Sequence, residues 1–169
     1  MSVCRVRLIL WLLLTGISVI GGIVTDFVLH SSPFPVWLRL IGLAGIVLFH
    51  FPLKRTGKLL SRYGESVEWG CTNRLIVTDL YRCLRHPHHF FIGLFMVCLG
   101  LAIGHMWSLI LVGATQWLWI LGFLFLVEER ELLQKFGEPY AVYRRRVPML
   151  ISNPVCIIQI LSSSMEGPG

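Results

Sequence analysis

The sequence predicts an all-α integral membrane helical bundle, and three observations carry that reading. The 169 residues are 55% hydrophobic and only 14% charged, with a mean hydropathy of +0.72, which departs from the balance found in soluble domains. The apolar residues fall in long runs rather than in the short alternations of a barrel strand, so helices that satisfy their own backbone groups are the expected spanning elements. The Lys and Arg residues gather between and beyond those runs, and only Arg39 falls elsewhere.

About four spans are expected. Crossing a bilayer as a helix takes roughly 20 apolar residues. Residues 8–29 meet that requirement with Asp26 as their only charge. This stretch is long for the apolar core of a signal peptide and no A-x-A-like site follows it, so it is read as a retained span. Ser31, Ser32, Pro33 and Pro35 break the helix, and residues 36–53 form the second apolar run, giving a tight hairpin. Residues 54–88 are the longest polar stretch, with Gly57, Gly64, Gly70 and a short Leu75-Ile76-Val77 patch. They read as a cytosolic loop with amphipathic pieces on the membrane surface.

Residues 90–104 and 106–127 supply the third and fourth runs, joined at Gly104-His105 as a second antiparallel pair. Beyond Val127 the pattern stays helical as far as Gly137 and Pro139, with Glu128, Leu132 and Phe136 on one face. Residues 149–161 are apolar but short and interrupted by Asn153-Pro154, so an interfacial or packed segment is expected there, followed by a loose tail over 162–169. The whole chain is read as one membrane domain.

Charge gives the orientation. Arg5 and Arg7 precede the first run, seven basic residues lie between the second and third, and five follow the fourth, while the other two connections carry no Lys or Arg. The positive-inside rule then places both termini in the cytosol, in the endoplasmic reticulum of a eukaryote or the inner membrane of a bacterium. The net charge of +6 is thus accounted for by the lipid bilayer as partner rather than by nucleic acid. The five cysteines are scattered without a C-x-x-C pair, which indicates neither a disulfide framework nor a zinc site.

Three polar clusters stand at the cytosolic edge of these helices, where they cost energy unless paired or used. Arg85-His86-Pro87-His88-His89 opens the third span; Pro87 suits a first helical turn, whose free N–H groups favour an anion. Glu128-Glu129-Arg130 closes the fourth span, and two adjacent carboxylates there call for a cationic partner. Phe136-Gly137-Glu138-Pro139-Tyr140 follows, with Tyr143, Arg144, Arg145, Arg146 and Val147-Pro148. The short turn between the third and fourth spans returns the first two clusters to one membrane face, where they can meet.

In order and spacing these motifs, over roughly residues 76–151, resemble the isoprenylcysteine carboxyl methyltransferase family and its relatives among phospholipid and small-thiol methyltransferases. The resemblance implies a cytosolic C-terminal catalytic segment that binds S-adenosyl-L-methionine between the clusters. It implies catalytic roles for Arg85, His86 and Glu129, and cofactor contacts from His86, Pro87, His89, Gly93, Glu128, Glu129, Tyr140 and Tyr143, with no metal. Arg130 matches the second motif as well. Carboxylates would hold the ammonium of the cofactor, helix-start amides with His86 and Arg85 its carboxylate, and aromatic faces would sit near the sulfonium.

The implied reaction is methyl transfer to a lipidic or membrane-partitioned acceptor, foremost the carboxylate of a prenylated protein cysteine. A phospholipid or small thiol is the alternative acceptor, and an inactive scaffold of the same fold the alternative function. Two positions depart from the family's R-H-P-x-Y-x-G pattern: His89 stands at the Tyr and Phe91 at the Gly, with Gly93 close by. The related sterol reductases share an R-H-P-x-Y-like element but use NADPH and need more spans than this length holds. His86, His88 and His89 find no carboxylate or thiolate at helical spacing to complete a metal set. Arg144, Arg145 and Arg146 read as a lipid anchor, Trp11, Trp37 and Trp107 as an interfacial belt, Asp26 as hydrated near the outer end, and Gln116 as an intramembrane site candidate.

Overall fold

The computed structural model describes residues 3–63, 74–150 and 153–163, and every regular element among them is helical. Six helices follow one another: α1 (Val3–Val28), α2 (Val36–Tyr63), α3 (Pro87–Ile103), α4 (Met106–Phe136), α5 (Glu138–Arg146) and α6 (Pro154–Ser163), with a 3₁₀ turn at Asp79–Arg82 before α3. Three of them are long and apolar enough to cross a membrane, over Arg5–Val28, Val36–Arg62 and Met106–Phe136; α3 is apolar but only 17 residues long.

The punctuation read in the sequence sets most boundaries. Pro87 opens α3 at its first position, and Gly104, with φ of 90°, closes it in the left-handed region that favours glycine. Gly137, with φ of 58°, separates α4 from α5. The second apolar run ends differently from expectation, because α2 continues through Pro52 to Tyr63 rather than giving way to a loop. The added turns are amphipathic: Lys54 and Lys58 face out, while Thr56 is fully buried and Leu60 half-buried. The expected loop residues 64–73, with Gly64, Gly70 and Cys71, lie outside the described residues, as does most of the 162–169 tail.

In the bundle α2 packs along α3, α3 along the first half of α4, and α4 along α1. Small residues let the backbones approach. A Cβ on Gly42 would stand 2.6 Å from the Ala102 amide nitrogen, and one on Gly22 2.8 Å from the Cα of Ser108. The outer faces of α1 and α2 expose Ile17, Phe27, Val36, Leu48 and Phe51, the surface expected of helices that meet lipid.

Polar side chains pin the helices together. Asp26 is buried rather than hydrated: its carboxylate accepts hydrogen bonds from the Trp107 and Ser108 amides at 3.0 and 2.8 Å and from the Ser108 hydroxyl at 2.6 Å, capping the start of α4 from another helix. Gln116 donates to Thr15 Oγ1 at 2.9 Å, and Ser18 and Thr115 share a hydrogen bond of 2.9 Å, so Gln116 joins α4 to α1.

Two π turns, Leu109–Ala114 and Leu124–Glu128, interrupt the α geometry of α4. Gln116, Ile120 and Leu124 are buried at steps of four residues, and the next buried residue is Glu129, five further on. The second π turn thereby rotates the end of α4 until Glu129 continues the core stripe and Glu128 lies beside it. Beyond α5 the chain returns under the start of α3. Cys83 and Cys156 are disulfide-bonded, which ties α6 to the 3₁₀ turn and overturns the expectation drawn from the scattered cysteines. Their sequence separation of 73 left no local spacing to read.

Candidate functional site

The basic corner and the acidic pair meet. Arg85 and His86 precede α3 on a strap held by hydrogen bonds from the Arg85 amide to Pro148 O at 2.9 Å and from the His86 amide to Met149 O at 3.3 Å. Both side chains converge on Glu129: Arg85 Nη1 donates to Oε2 at 2.5 Å, His86 Nε2 to Oε1 at 2.8 Å, and Tyr140 Oη to Oε1 at 2.7 Å. Arg144 Nε stands 3.4 Å from Oε2, so this arginine reaches the hub, whereas Arg145 pairs with the exposed Glu138. Tyr143 Oη donates instead to the Tyr81 carbonyl at 2.7 Å and holds the 3₁₀ turn against α5.

Glu128 behaves differently from its neighbour. Its Oε1 lies 3.4 Å from His86 Nδ1 and its Oε2 3.6 Å from His89 Nε2, and Oε2 is buried without a hydrogen-bond partner among the described residues. Two histidines at the start of α3 and one carboxylate at the end of α4 thus present ligand atoms within 4.8 Å of one another. The carboxylate that sequence reading sought at helical spacing arrives from another helix. His88 turns away from the trio and shares a hydrogen bond of 3.0 Å with Thr56 Oγ1 on α2.

Beside this constellation lies a cavity of about 300 Å³, within the range of small-molecule sites. Of the residues expected at a site, Arg85, His86, His89, Glu128, Tyr140 and Tyr143 line it; Pro87, Gly93 and Glu129 do not. Gly93 packs against Trp117, where a Cβ would come within 2.7 Å of the indole, so its small size serves helix packing. Leu132 and Phe136 join Glu128 on the wall, as their shared face requires.

The sequence reading missed the contribution of α1 and α2. Arg7, Leu8 and Trp11 form part of the wall, as do Gly57 and Leu60. Trp11 is therefore a cavity residue rather than only a belt residue. Arg7 pairs with Glu131 and lies over the Phe123 ring, 5.2 Å from its centroid. Its place in an N-terminal charge cluster gave no sign of this, since the partner is 124 residues away.

Electrostatics favours a charged hub. Burial disfavours the protonated His86 ring, but the carboxylates of Glu128 and Glu129 beside it outweigh that and lift the pKa to about 9, leaving the imidazolium populated at neutral pH. Burial pushes the Tyr140 phenol well above its ordinary value, and the hydrogen bond to Glu129 adds to the shift. Tyr143 and Tyr81 are likewise raised by burial, so all three phenols stay neutral, with Tyr140 and Tyr143 as donors. The arrangement offers a cavity with cationic, anionic and aromatic walls whose polar groups are fixed by a buried network, suited to orient a zwitterionic or anionic ligand. No family model matches the chain, and neither a curated protein nor a solved structure matches it.

Proposed function

We propose that the chain is a membrane methyltransferase that binds S-adenosyl-L-methionine in this cavity and acts on a lipidic or membrane-partitioned acceptor, foremost the carboxylate of a prenylated cysteine. The observation that carries the reading is the convergence of Arg85, His86 and Glu128 on one cavity of about 300 Å³. The residues fit the cofactor: Glu128 has a carboxylate oxygen with no hydrogen-bond partner among the described residues, suited to an ammonium, and Arg85 with Arg7 supplies cationic walls for a carboxylate. Bound there, S-adenosyl-L-methionine supplies an electrophilic methyl group. Glu129 does not line the cavity; it acts as a positioning residue that fixes Arg85, His86 and Tyr140. Trp11, Ile92 and Phe123 give apolar walls that exclude water and suit a lipidic acceptor.

Calorimetric titration of the full chain in detergent micelles tests the reading. S-adenosyl-L-methionine binds at one equivalent, and Glu128→Ala weakens it by at least tenfold. Unchanged binding by that variant refutes the pocket. The inactive scaffold is the second reading, favoured by the saturation of Glu129 with internal donors. It predicts no affinity for the cofactor in any lipid.

The proposal includes four crossings, with α3 as the short one, its 17 residues matching the lower limit for a spanning helix. Both termini then face the cytosol. The Cys83–Cys156 disulfide lies on that same side, and the preference of such bonds for an oxidising compartment pulls towards the opposite orientation, so the orientation is tested directly. Membrane-impermeant maleimide added to intact cells leaves a cysteine introduced at the exposed Gln134 (Gln134→Cys) at the wild-type labelling background, and labels it once the membrane is permeabilised. Labelling of Gln134→Cys above that background in intact cells reverses the orientation.

A further inference from the structure

We propose that His86 Nδ1, His89 Nε2 and the Glu128 carboxylate form a site for a divalent first-row transition metal ion on the cavity wall. The three ligand atoms come from the starts and ends of two different helices and lie within 4.8 Å of one another. Their separations decide between a hydrogen-bonded cluster and a coordination site. Glu128 stands 3.4 Å from His86 and 3.6 Å from His89, too far for strong N–H···O bonds, which centre near ~2.9 Å. Metal–ligand bonds of about 2.0–2.1 Å at tetrahedral angles place neighbouring donor atoms roughly 3.3–3.4 Å apart. The two distances go to the two different oxygens of the carboxylate, so each histidine faces its own oxygen across a gap wider than a hydrogen bond, and the three groups, within 4.8 Å of one another, need draw in only slightly to hold an ion.

Two further observations point to a ligand. Glu128 Oε2 is buried with no hydrogen-bond partner among the described residues, which leaves a carboxylate oxygen aimed at the histidines and unsatisfied. The other nitrogen of His86 is already engaged, since Nε2–H donates to Glu129 Oε1 at 2.8 Å. That bond fixes the ring with Nδ1 towards the site, and a bound ion displaces the Nδ1 proton that the imidazolium carries when the site is empty, giving the carboxylate–histidine arrangement that supports metal ligands elsewhere. Arg85 and Tyr140 hold Glu129 in turn, so the supporting shell is complete.

The donor set selects the ion. Two imidazoles and one carboxylate suit zinc, cobalt, nickel or ferrous iron over magnesium or calcium, which prefer all-oxygen shells. Three protein donors leave a coordination position open, and the trio stands on the wall of the cavity, whose lining includes all three residues. That position takes water or an anionic oxygen of whatever ligand the cavity holds. The inference stands apart from methyl transfer, which does not need the ion; because both readings draw on the unsatisfied oxygen of Glu128, the ion and the ammonium of the cofactor compete for it.

The test uses the tag-free full chain in detergent micelles, stripped with a chelator and dialysed. Co²⁺ is titrated while its visible absorption is followed, and Zn²⁺ displacement is measured by calorimetry. One Zn²⁺ binds per chain. His89→Gln, His89→Ala and Glu128→Ala each lower the affinity by at least tenfold, and Glu129→Gln lowers it tenfold to a hundredfold while keeping the stoichiometry. His88→Ala retains wild-type affinity. Thermal melts of the metal-free proteins identify variants that fold, and His89→Gln conserves enough volume to serve if the alanine variants do not.

Absence of stoichiometric binding by the wild type overturns the site, as does wild-type affinity in the His89 and Glu128 variants. An equal loss in His88→Ala shows histidine clustering alone and overturns it too. Titration of S-adenosyl-L-methionine into the metal-free protein separates the two proposals: cofactor binding without Zn²⁺ binding removes only this one, and Zn²⁺ binding without cofactor binding removes only the other.

Discussion

Two buried carboxylates close opposite ends of the bundle, and they are held in opposite ways. Asp26, near the end of α1, receives neutral donors only: two backbone amides and a hydroxyl from the start of α4. Glu129, near the other end of α4, receives two cationic side chains and a phenol. The first arrangement satisfies a helix terminus and leaves its carboxylate fully occupied. The second concentrates charge of both signs beside a cavity, with a further carboxylate, Glu128, left partly unsatisfied. Burial of an acid in a membrane protein therefore does not by itself mark a site. The sign and surplus of its partners do.

The largest loss is expected at Glu129. Removing one member of a buried ion pair leaves the other as an uncompensated charge, at a cost of about 3–5 kcal/mol. Both side chains of the Arg85–Glu129 pair are less than a tenth exposed, at 9% and 8%, so screening by water does little to relieve that cost. Glu129→Ala is therefore expected to unfold in micelles far below the wild type in denaturant titrations. A loss below about 1 kcal/mol would mean that water or lipid headgroups reach the hub, contrary to its burial.

Asp26→Ala comes next. It strips acceptors from two amides and a hydroxyl without leaving a charge behind, and unsatisfied buried donors cost roughly 1–3 kcal/mol each when water cannot replace the partner. A loss of about 3 kcal/mol is expected, and Asp26→Asn, which keeps one acceptor oxygen, loses less. Ligand titrations at the cavity should be unchanged in whichever of the two variants folds. A selective loss of cavity binding with unaltered stability would make Asp26 part of the site and erase the distinction between the two ends.

How much of this the sequence carried follows from the range of each interaction. The helices were legible because an apolar run, a proline at a first turn or a glycine after a last one is a local signal; Pro87, Gly104 and Gly137 mark boundaries as expected. The meeting of Arg85 and His86 with Glu129 was legible one step further out, since a short turn between two apolar runs returns their far ends to one side. What was lost depends on register. The π turn at Leu124–Glu128 decides which glutamate enters the core, and nothing in Leu124-Phe125-Leu126-Val127 announces it. Equally hidden were partners far apart in the chain: Cys83 with Cys156 and Arg7 with Glu131.

The smallest effect is expected at another carboxylate, Glu131, two residues beyond Glu129. Its partner Arg7 is 28% exposed and Glu131 itself 48%, so the pair lies where solvent screens it, although both residues border the same cavity as Glu128. Exposed pairs typically contribute under about 1 kcal/mol, and salt weakens them further. Glu131→Gln, which removes the charge but keeps the shape, should shift stability by less than about 1 kcal/mol at low salt and less still at high salt. Arg7→Ala should cost more than that, because its guanidinium also covers the Phe123 ring. Equal losses in the two variants would assign the contact to charge alone. A larger loss in Arg7→Ala that persists at high salt would instead make α1 a packed wall of the cavity, joined to α4 by surface contact more than by attraction.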